Sequence, residues 1–255
     1  MARILLPLPD RDFDTTEVAV PWRVLTDAGH EVVFATEAGA AATCDPLLLR
    51  GVLFGKLGAA RDARAIYAGM IAGDAFRRPI RWEAIDPAAF DALLLPGGHA
   101  AGMRQYLGSA LLRERVAAFA QLRRPIAAIC HGVLVLARAS DARSGESLIA
   151  GRSVTCLPKY MEAMAWGLTA WKLGRYYRTY SAYVEEEVRL AVGPQGRFVR
   201  GPITLGARGS ESDDGAAFAV RDANILTARW PGDAWLFARQ LAAMLDAVSA
   251  LEVSA

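Results

Sequence analysis

Short apolar runs alternate with longer amphipathic segments through most of the chain. Four of these runs, residues 3–8, 31–35, 92–96 and 126–130, are each followed by turn residues and then by a helical pattern. Strand, turn and helix in repeated order predict parallel strands that are covered by helices. We therefore expect an α/β fold with a mostly parallel central sheet and helices on both of its faces.

The helical segments end at recognisable stop signals. Gly29 closes the first helix, and Pro125 stops the helix that precedes the fourth strand. Late in the chain, residues 218–220 and 225–228 predict a β-hairpin or two adjoining strands. The predicted helices cover residues 16–28, 61–71, 110–122, 133–139 and 232–248.

Two stretches interrupt the repeated unit, near residues 46–87 and 159–202. The second is rich in tyrosine and tryptophan, from Tyr160 to Tyr183. Neither stretch has enough apolar periodicity for a core of its own, and the chain contains no internal repeat and no Pro/Ser-rich linker. We expect a single domain over residues 1–255, with these two stretches as insertions that decorate one sheet.

Composition narrows the classes of partner. Hydrophobic residues make up 53% of the 255 residues, and 29 basic against 27 acidic side chains leave a formal charge of +2, which gives no field to attract nucleic acid. The chain contains neither a signal-peptide pattern nor a run of about 20 apolar residues. We expect a cytoplasmic protein that binds no nucleic acid and no membrane.

The chemistry is concentrated where the strand 126–130 meets the helix 133–139. Cys130, His131 and Gly132 occupy this junction, which is typical of a nucleophile elbow, a sharp turn that holds a side chain above the sheet edge. A helix amino terminus favours the thiolate, and His131 is the best candidate for a general base. The alternative is a small buried cysteine that merely ends an apolar strand.

A second apolar strand, residues 92–96, ends in a pair of glycines. If it lies beside the strand that ends at Cys130, the N–H groups of Gly98 and His131 form an oxyanion hole; otherwise the pair is a simple turn. His99 follows the pair and is a candidate to line the pocket. It has no second histidine at metal-binding spacing, and the three cysteines are widely separated, so we expect no metal and no disulfide framework.

Glu17 follows the first strand and faces the same edge of the sheet as Cys130. There its carboxyl group is able to exchange protons with the thiol or with a substrate. The segment from Asp14 to Glu17 also fits a capping box, with Asp14 as the cap and Glu17 closing it. The residues alone leave these two interpretations equally supported.

The sequences Ala-Ala-Ile-Cys-His-Gly at 127–132 and Leu-Pro-Gly-Gly-His at 95–99, with Glu17 and Pro21, resemble the ThiJ/PfpI superfamily. The resemblance covers nearly the whole chain and implies the class I glutamine amidotransferase-like fold, a flavodoxin-like three-layer sandwich with a nucleophile elbow. The length and the insertions are most similar to the larger heat-shock-type, glyoxalase III-like branch.

The resemblance also implies a set of site residues. Cys130 is the nucleophile, Glu17 hydrogen-bonds its sulfur, and Glu162 is the carboxylate that orients His131. Glu162 ends the segment 151–162, which departs from the family pattern at two positions, and its alternative is a solvated glutamate at the start of a helix. Arg104, in the loop after the glycine pair, is a candidate to bind a substrate carboxylate.

In the glyoxalase III interpretation, the Cys130 thiolate adds to the aldehyde of a 2-oxoaldehyde such as methylglyoxal. His131 and Glu17 then move protons through an ene-diol, and water releases a 2-hydroxy acid. This chemistry implies a small-molecule substrate and needs no cofactor, whether glutathione, metal or nucleotide. Members of the superfamily are commonly dimers, so we expect a homodimer.

Three alternatives stay open at the level of sequence. The same nucleophile suits a C–N bond hydrolase of amidase, peptidase or isonitrile hydratase type. Cys130 also suits a redox-sensing or holdase-type stress protein, because an acidic neighbour is able to stabilise an oxidised sulfur. The third alternative is a catalytically silent domain that only dimerises.

Overall fold

The computed structural model describes residues 1–53 and 57–253. Residues 54–56 of the first predicted insertion and residues 254–255 of the predicted domain lie outside the described residues. The strands are β1 (Arg3–Pro7), β2 (Arg11–Phe13), β3 (Glu31–Thr36), β4 (Thr43–Cys44), β5 (Ile80–Arg81), β6 (Ala92–Leu95), β7 (Ile126–Ile129), β8 (Ser153–Val154), β9 (Arg197–Phe198), β10 (Ala219–Asp222) and β11 (Ile225–Ala228).

The helices lie between the strands and at the end of the chain, and the first, third, sixth, seventh and tenth of those described lie where the apolar periodicity predicts helices. They are α1 (Thr15–Asp27), α2 (Pro46–Arg50), α3 (Arg61–Ala72), α4 (Asp74–Arg77), α5 (Met103–Gly108), α6 (Ala110–Ala120), α7 (Val133–Arg138), α8 (Lys159–Leu173), α9 (Val184–Val192) and α10 (Ala234–Val253). None of the helices in the described part of the chain is long and apolar enough to span a membrane.

The central sheet of the described residues has the strand order β10-β11-β7-β6-β1-β3-β5. Its strands are parallel except for the antiparallel pair of β10 and β11, which is the predicted hairpin. Strands β6 and β7 are buried along their whole length, as is typical of parallel strands covered on both faces. Their pairing in register, with Leu95 opposite Ala128, brings their carboxyl ends to the same edge.

Two groups of helices complete the sandwich. Helix α1 packs against α3 and α10, whereas α7 packs against α5, α6 and α9. These groups cover the sheet, so the predicted α/β, flavodoxin-like three-layer fold is confirmed.

The two stretches predicted as insertions have different places in the fold. Within residues 46–87, β5 pairs with β3 at the edge of the central sheet and α3 packs on α1, so this stretch contributes to the main layers instead of decorating them. Residues 159–202 carry α8 and α9, of which α9 packs against α7. The residue pattern missed β5 because a two-residue edge strand has no detectable period.

Candidate active site

The turn between β7 and α7 is a nucleophile elbow, as predicted. Cys130 has a φ of +57°, a conformation that costs a residue with a side chain energy and is found where a turn is sharply constrained. Gly132 is required beside it, because an added Cβ would lie 2.2 Å from the carbonyl oxygen of Leu95 at the end of β6. The close approach of these two strand ends therefore fixes the turn that presents the thiol.

His131 faces the thiol although it is the next residue in the chain. Its Nδ1 lies 3.5 Å from the Sγ atom of Cys130, and both side chains are fully buried. A thiol–imidazole pair at this distance allows proton transfer from sulfur to nitrogen. The structure thus brings together the two residues that the sequence places at the centre of the chemistry.

A threonine that the sequence analysis did not single out holds the other side of the imidazole. The Thr179 hydroxyl donates its one proton to the carbonyl oxygen of His99 at 2.7 Å, and it lies 3.3 Å from the His131 Nε2 atom. Since that proton is committed, the hydroxyl is able only to accept a hydrogen bond from Nε2–H. This arrangement leaves the lone pair on Nδ1, the atom that faces the thiol.

Glu162, predicted to orient His131, has other partners. Its Oε2 accepts a hydrogen bond from the N–H of Val184 at 3.1 Å, and its Oε1 lies 3.7 Å from the Nε of Arg178. Glu162 is buried, so it is not a solvated glutamate either, and burial raises its pKa to about 7. The structure does not bring it to the imidazole: the neighbour of Nε2 is a neutral hydroxyl, and Glu162 holds the start of α9.

Glu17 projects toward the elbow and does not close a capping box. Asp14 caps α1 by accepting the N–H groups of Thr16 and Glu17, as expected, but the Glu17 Oε2 accepts the N–H of Gly97 at 2.7 Å. The Glu17 Oε1 is buried, and the carboxyl group interacts with the Cys130 thiol, the neighbour that the sequence predicts for it. Of the two interpretations that the sequence left open, the structure supports the one that places this carboxyl group beside Cys130.

Burial decides the protonation states of these groups. It raises the pKa of the Cys130 thiol well above its usual value, and the nearby Glu17 charge raises it further. It also raises the pKa of Glu17 and lowers the pKa of His131. Burial therefore favours the neutral form of all three groups, and for Cys130 it opposes the thiolate that the helix terminus was expected to favour.

The glycine pair lies against the elbow because β6 and β7 are neighbours. A Cβ added to Gly97 would lie 2.7 Å from the backbone nitrogen of His131 and 2.8 Å from the Glu17 Oε2, so this position requires glycine. Gly98 follows at the same edge of the sheet. The adjacency on which the oxyanion hole depended is present, and the role of the Gly98 and His131 N–H groups stays a prediction.

His99 and Arg104 have contrasting places. The His99 ring lies between those of His131 and Tyr177, with centroids 4.9 and 4.8 Å away, and burial lowers the pKa of His99 to about 4. The Nε of Arg104 instead donates to the carbonyl oxygen of Thr179 at 2.9 Å. Arg104 therefore holds the segment that contains Thr179, and its binding of a substrate carboxylate stays a prediction.

The fold also assembles a group of donors that spacing in the sequence does not reveal. One donor atom each from His99, Cys130 and His131 lies within 4.8 Å of the others, and such nitrogen and sulfur donors are those that zinc prefers. The same atoms form the thiol–imidazole pair, so an ion bound there would compete with proton transfer. All three cysteines of the chain are free and buried.

A mostly apolar cavity of about 160 Å³ adjoins His99. Helix α8, from the aromatic-rich stretch, supplies much of its wall. Arg208, whose guanidinium lies 5.0 Å from the Trp230 ring centroid, is the arginine at this cavity. The other lining residues include Asp14, Leu48, Met161, Met164, Ala165, Leu168 and Tyr177.

Comparison with known proteins places these features in context. A family model described as ThiJ/PfpI family-like matches residues 8–202. An uncharacterised protein of Schizosaccharomyces pombe is 27% identical over 210 residues, covering 79% of this chain and 72% of that protein. The deglycase PfpI of Pyrococcus furiosus is 28% identical over 151 residues, covering 57% of this chain and 72% of the deglycase.

Solved structures agree on the fold. Glyoxalase III from Candida albicans superposes with a TM-score of 0.67 over 95% of this chain and 97% of its own, at 19% sequence identity. Drosophila melanogaster DJ-1beta superposes with a TM-score of 0.56 over 99% of this chain and 97% of its own, also at 19% identity. At these identities the likeness demonstrates a shared fold, and the chemistry must be argued from the residues of this chain.

Proposed function

Because the chain belongs to the ThiJ/PfpI family, we propose that it is a cysteine-dependent enzyme that acts on small reactive carbonyl compounds through Cys130. One observation carries this proposal. The Cys130 Sγ lies 3.5 Å from the Nδ1 of His131 in a strained elbow, and beside it lies the Glu17 carboxyl group, whose pKa is raised by burial. A base and an acid on either side of one thiol suit a reaction that moves protons in both directions.

The first step forms a bond between sulfur and the aldehyde carbon of a 2-oxoaldehyde. The His131 Nδ1 takes the thiol proton as Sγ attacks, so the buried nucleophile needs no standing negative charge. The carbonyl oxygen becomes an oxyanion that the N–H groups of Gly98 and His131 stabilise. The imidazolium then returns the proton to this oxygen, and the product is a neutral hemithioacetal.

The next steps rearrange the hydrogen atoms without any oxidant. His131 removes the proton from the first carbon while Glu17 donates its proton to the oxygen of the second carbon, which gives an ene-diol. Glu17 then recovers a proton from the hydroxyl on the first carbon, which is bonded to sulfur, while His131 protonates the second carbon. The product is a thioester. Water cleaves the thioester, so that one 2-oxoaldehyde and one water become a 2-hydroxy acid and the thiol is restored.

The relatives support this class of substrate. A curated relative is named a deglycase, and a protein of the same fold is named glyoxalase III. Both names refer to cysteine-compatible chemistry on compounds that contain or derive from reactive carbonyls. For this chain, the proposal stands on Cys130, His131 and Glu17.

The direct test measures conversion of methylglyoxal to lactate in the absence of glutathione. We expect turnover by the unaltered protein and none by Cys130→Ser, because a serine hydroxyl is a much weaker nucleophile than a cysteine thiol. The matched control is Cys44→Ser, since Cys44 is also buried but lies on β4. Equal lactate formation by the unaltered protein and Cys130→Ser would refute the proposal.

A second candidate function, deglycation, is favoured by the relatives that are named deglycases. In that reaction the nucleophile acts on the adduct of a 2-oxoaldehyde with an amine and a C–N bond breaks. A comparison of two rates separates the candidates. The first is the rate at which the enzyme releases N-acetyllysine from its preformed methylglyoxal adduct. The second is the rate at which the adduct dissociates spontaneously, measured with a trap for free methylglyoxal. If the first rate is higher, the enzyme acts on the adduct itself.

The redox-sensing and holdase alternatives fit the site less well. Oxidation requires an accessible thiolate, whereas Cys130 is fully buried and its pKa is raised. Mild peroxide followed by measurement of the intact mass tests this ranking. Selective oxidation of Cys130 in a protein without turnover would reverse the order of the two functions.

A further inference from the structure

We propose that the cavity next to His99 is a subsite for an aromatic or branched aliphatic group on the carbonyl substrate. This inference rests on the proposed function, and it specifies the substrate class as aryl or branched-alkyl 2-oxoaldehydes in preference to methylglyoxal. It follows from the size of the cavity, the chemistry of its lining and its position relative to the thiol–imidazole pair.

The volume of the cavity exceeds what a methyl group needs. It measures about 160 Å³, and an engineered apolar protein cavity of about 150 Å³ binds benzene. The methyl group of methylglyoxal would leave most of this space unoccupied, and its walls would lack partner atoms for dispersion contacts. A phenyl ring or a branched alkyl chain fills it.

The lining favours an apolar group over a charged one. Met161, Met164, Ala165 and Leu168 project from α8 into the cavity, and the flexible thioethers of methionine adapt well to flat rings. Asp14 and Arg208 are the charged residues of the lining; burial raises the pKa of Asp14 to about 6, and the Arg208 charge partly opposes this shift. The Asp14 carboxylate is already engaged with two backbone N–H groups of α1.

The position of the cavity connects it to the reaction. The lining includes Asp14 and Thr16, which precede Glu17 at the start of α1, and His99, whose ring packs on His131. Cys130 exposes none of its surface. Cys130 does not line the cavity, and His99 is the lining residue that packs on His131, so the proposal includes displacement of the His99 ring by the substrate carbonyl group while the apolar substituent remains in the cavity.

The test compares kcat/KM for phenylglyoxal and methylglyoxal from the rates of mandelate and lactate formation. Cys130→Ser serves as the blank for spontaneous reaction with arginine side chains. We expect phenylglyoxal to be preferred by at least about tenfold, the effect of a small apolar group in a fitted pocket. Ala165→Leu fills the cavity and should reduce this preference at least about fivefold, whereas Ala163→Leu makes the same change on α8 away from the cavity and should preserve it.

A binding measurement separates failure of this inference from failure of the proposed function. Binding of 4-fluoroacetophenone to Cys130→Ser is followed by fluorine NMR, with and without Ala165→Leu. Turnover of methylglyoxal without a preference for the phenyl compound would overturn the subsite and leave the function standing. Binding that Ala165→Leu abolishes, without turnover of any carbonyl compound, would support the apolar site and overturn the function. Absence of binding would overturn the subsite.

Discussion

Replacement of Thr179 by valine tests how the imidazole is prepared for its role as a base. Valine has nearly the shape of threonine but no hydroxyl group, so the change removes the hydrogen bonds to the His99 carbonyl oxygen and the His131 Nε2 with little loss of packing. The His131 tautomer with a proton on Nδ1 then becomes accessible. That tautomer cannot accept the proton of the Cys130 thiol.

The size of the effect follows from the geometry. A hydrogen bond of 3.3 Å between neutral groups contributes roughly 0.5–1.5 kcal/mol, and 1.4 kcal/mol corresponds to a factor of about ten in an equilibrium constant. We expect kcat/KM for a carbonyl substrate to fall about two- to tenfold in Thr179→Val. Thr179→Ser retains the hydroxyl and should recover most of the loss. The unfolding free energy of Thr179→Val should also fall, by about 1–3 kcal/mol, because buried polar groups lose a partner.

Nitrogen NMR of the histidine side chains reads the tautomer directly. The chain has three histidines, so the signals can be assigned by substitution. The unaltered protein should show His131 with a protonated Nε2, and Thr179→Val should show the two ring nitrogens with more similar shifts. A protonated Nδ1 in the unaltered protein, or a variant with the same tautomer and the same kcat/KM, would refute the reasoning.

Three further predictions concern access, packing and charge. At neutral pH, iodoacetamide should alkylate Cys130 more slowly than a free thiol, and the rate should increase only above pH about 8.5. His99→Ala should increase this rate. Rapid alkylation near pH 7 would contradict the buried neutral thiol. Gly132→Ala should lower the unfolding free energy in urea by about 3 kcal/mol or more, whereas Gly69→Ala, where nothing lies within 4 Å of the added Cβ, should not. The pKa of Glu162 is raised from 4.5 to about 7, so the folded state binds this proton more tightly than the unfolded state. The stability of the unaltered protein should therefore fall as the pH rises from 4.5 to 7. Glu162→Gln should therefore gain stability over the unaltered protein by up to about 3 kcal/mol between pH 4.5 and 7, and parallel curves of stability against pH would contradict this.

The elements that repeat along the chain could be predicted because their signals are local. An apolar run followed by a turn and an amphipathic segment specifies a strand and its crossover helix without any long-range information. The elbow at Cys130 and the glycine pair before His99 carry distinctive short motifs, and the neighbouring β6 and β7 bring them together. The predicted fold and the contact between Cys130 and His131 follow from these signals.

The errors have a common physical origin, which is that side-chain partners come from distant parts of the chain. Glu162 was expected to orient His131, but its carboxyl group accepts a hydrogen bond from the N–H of Val184 and lies beside the guanidinium group of Arg178. The orienting group is Thr179, 48 residues beyond His131, and a threonine in an aromatic-rich stretch has no motif that reveals it. The Nε of Arg104 donates to the carbonyl oxygen of Thr179, and the sequence did not indicate this contact either.

The sequence by itself determined the layered α/β architecture, the elbow and the positions of Cys130 and His131 within it, because hydrophobic periodicity and short turn motifs specify them. Tertiary structure alone decided which oxygen orients His131, which side chains form the cavity and which groups carry protons. Hydrogen bonds across the chain and the desolvation of buried groups depend on distances that only the folded chain defines. For this reason Cys130, which a helix terminus would favour as a thiolate, has a raised thiol pKa once it is buried beside Glu17.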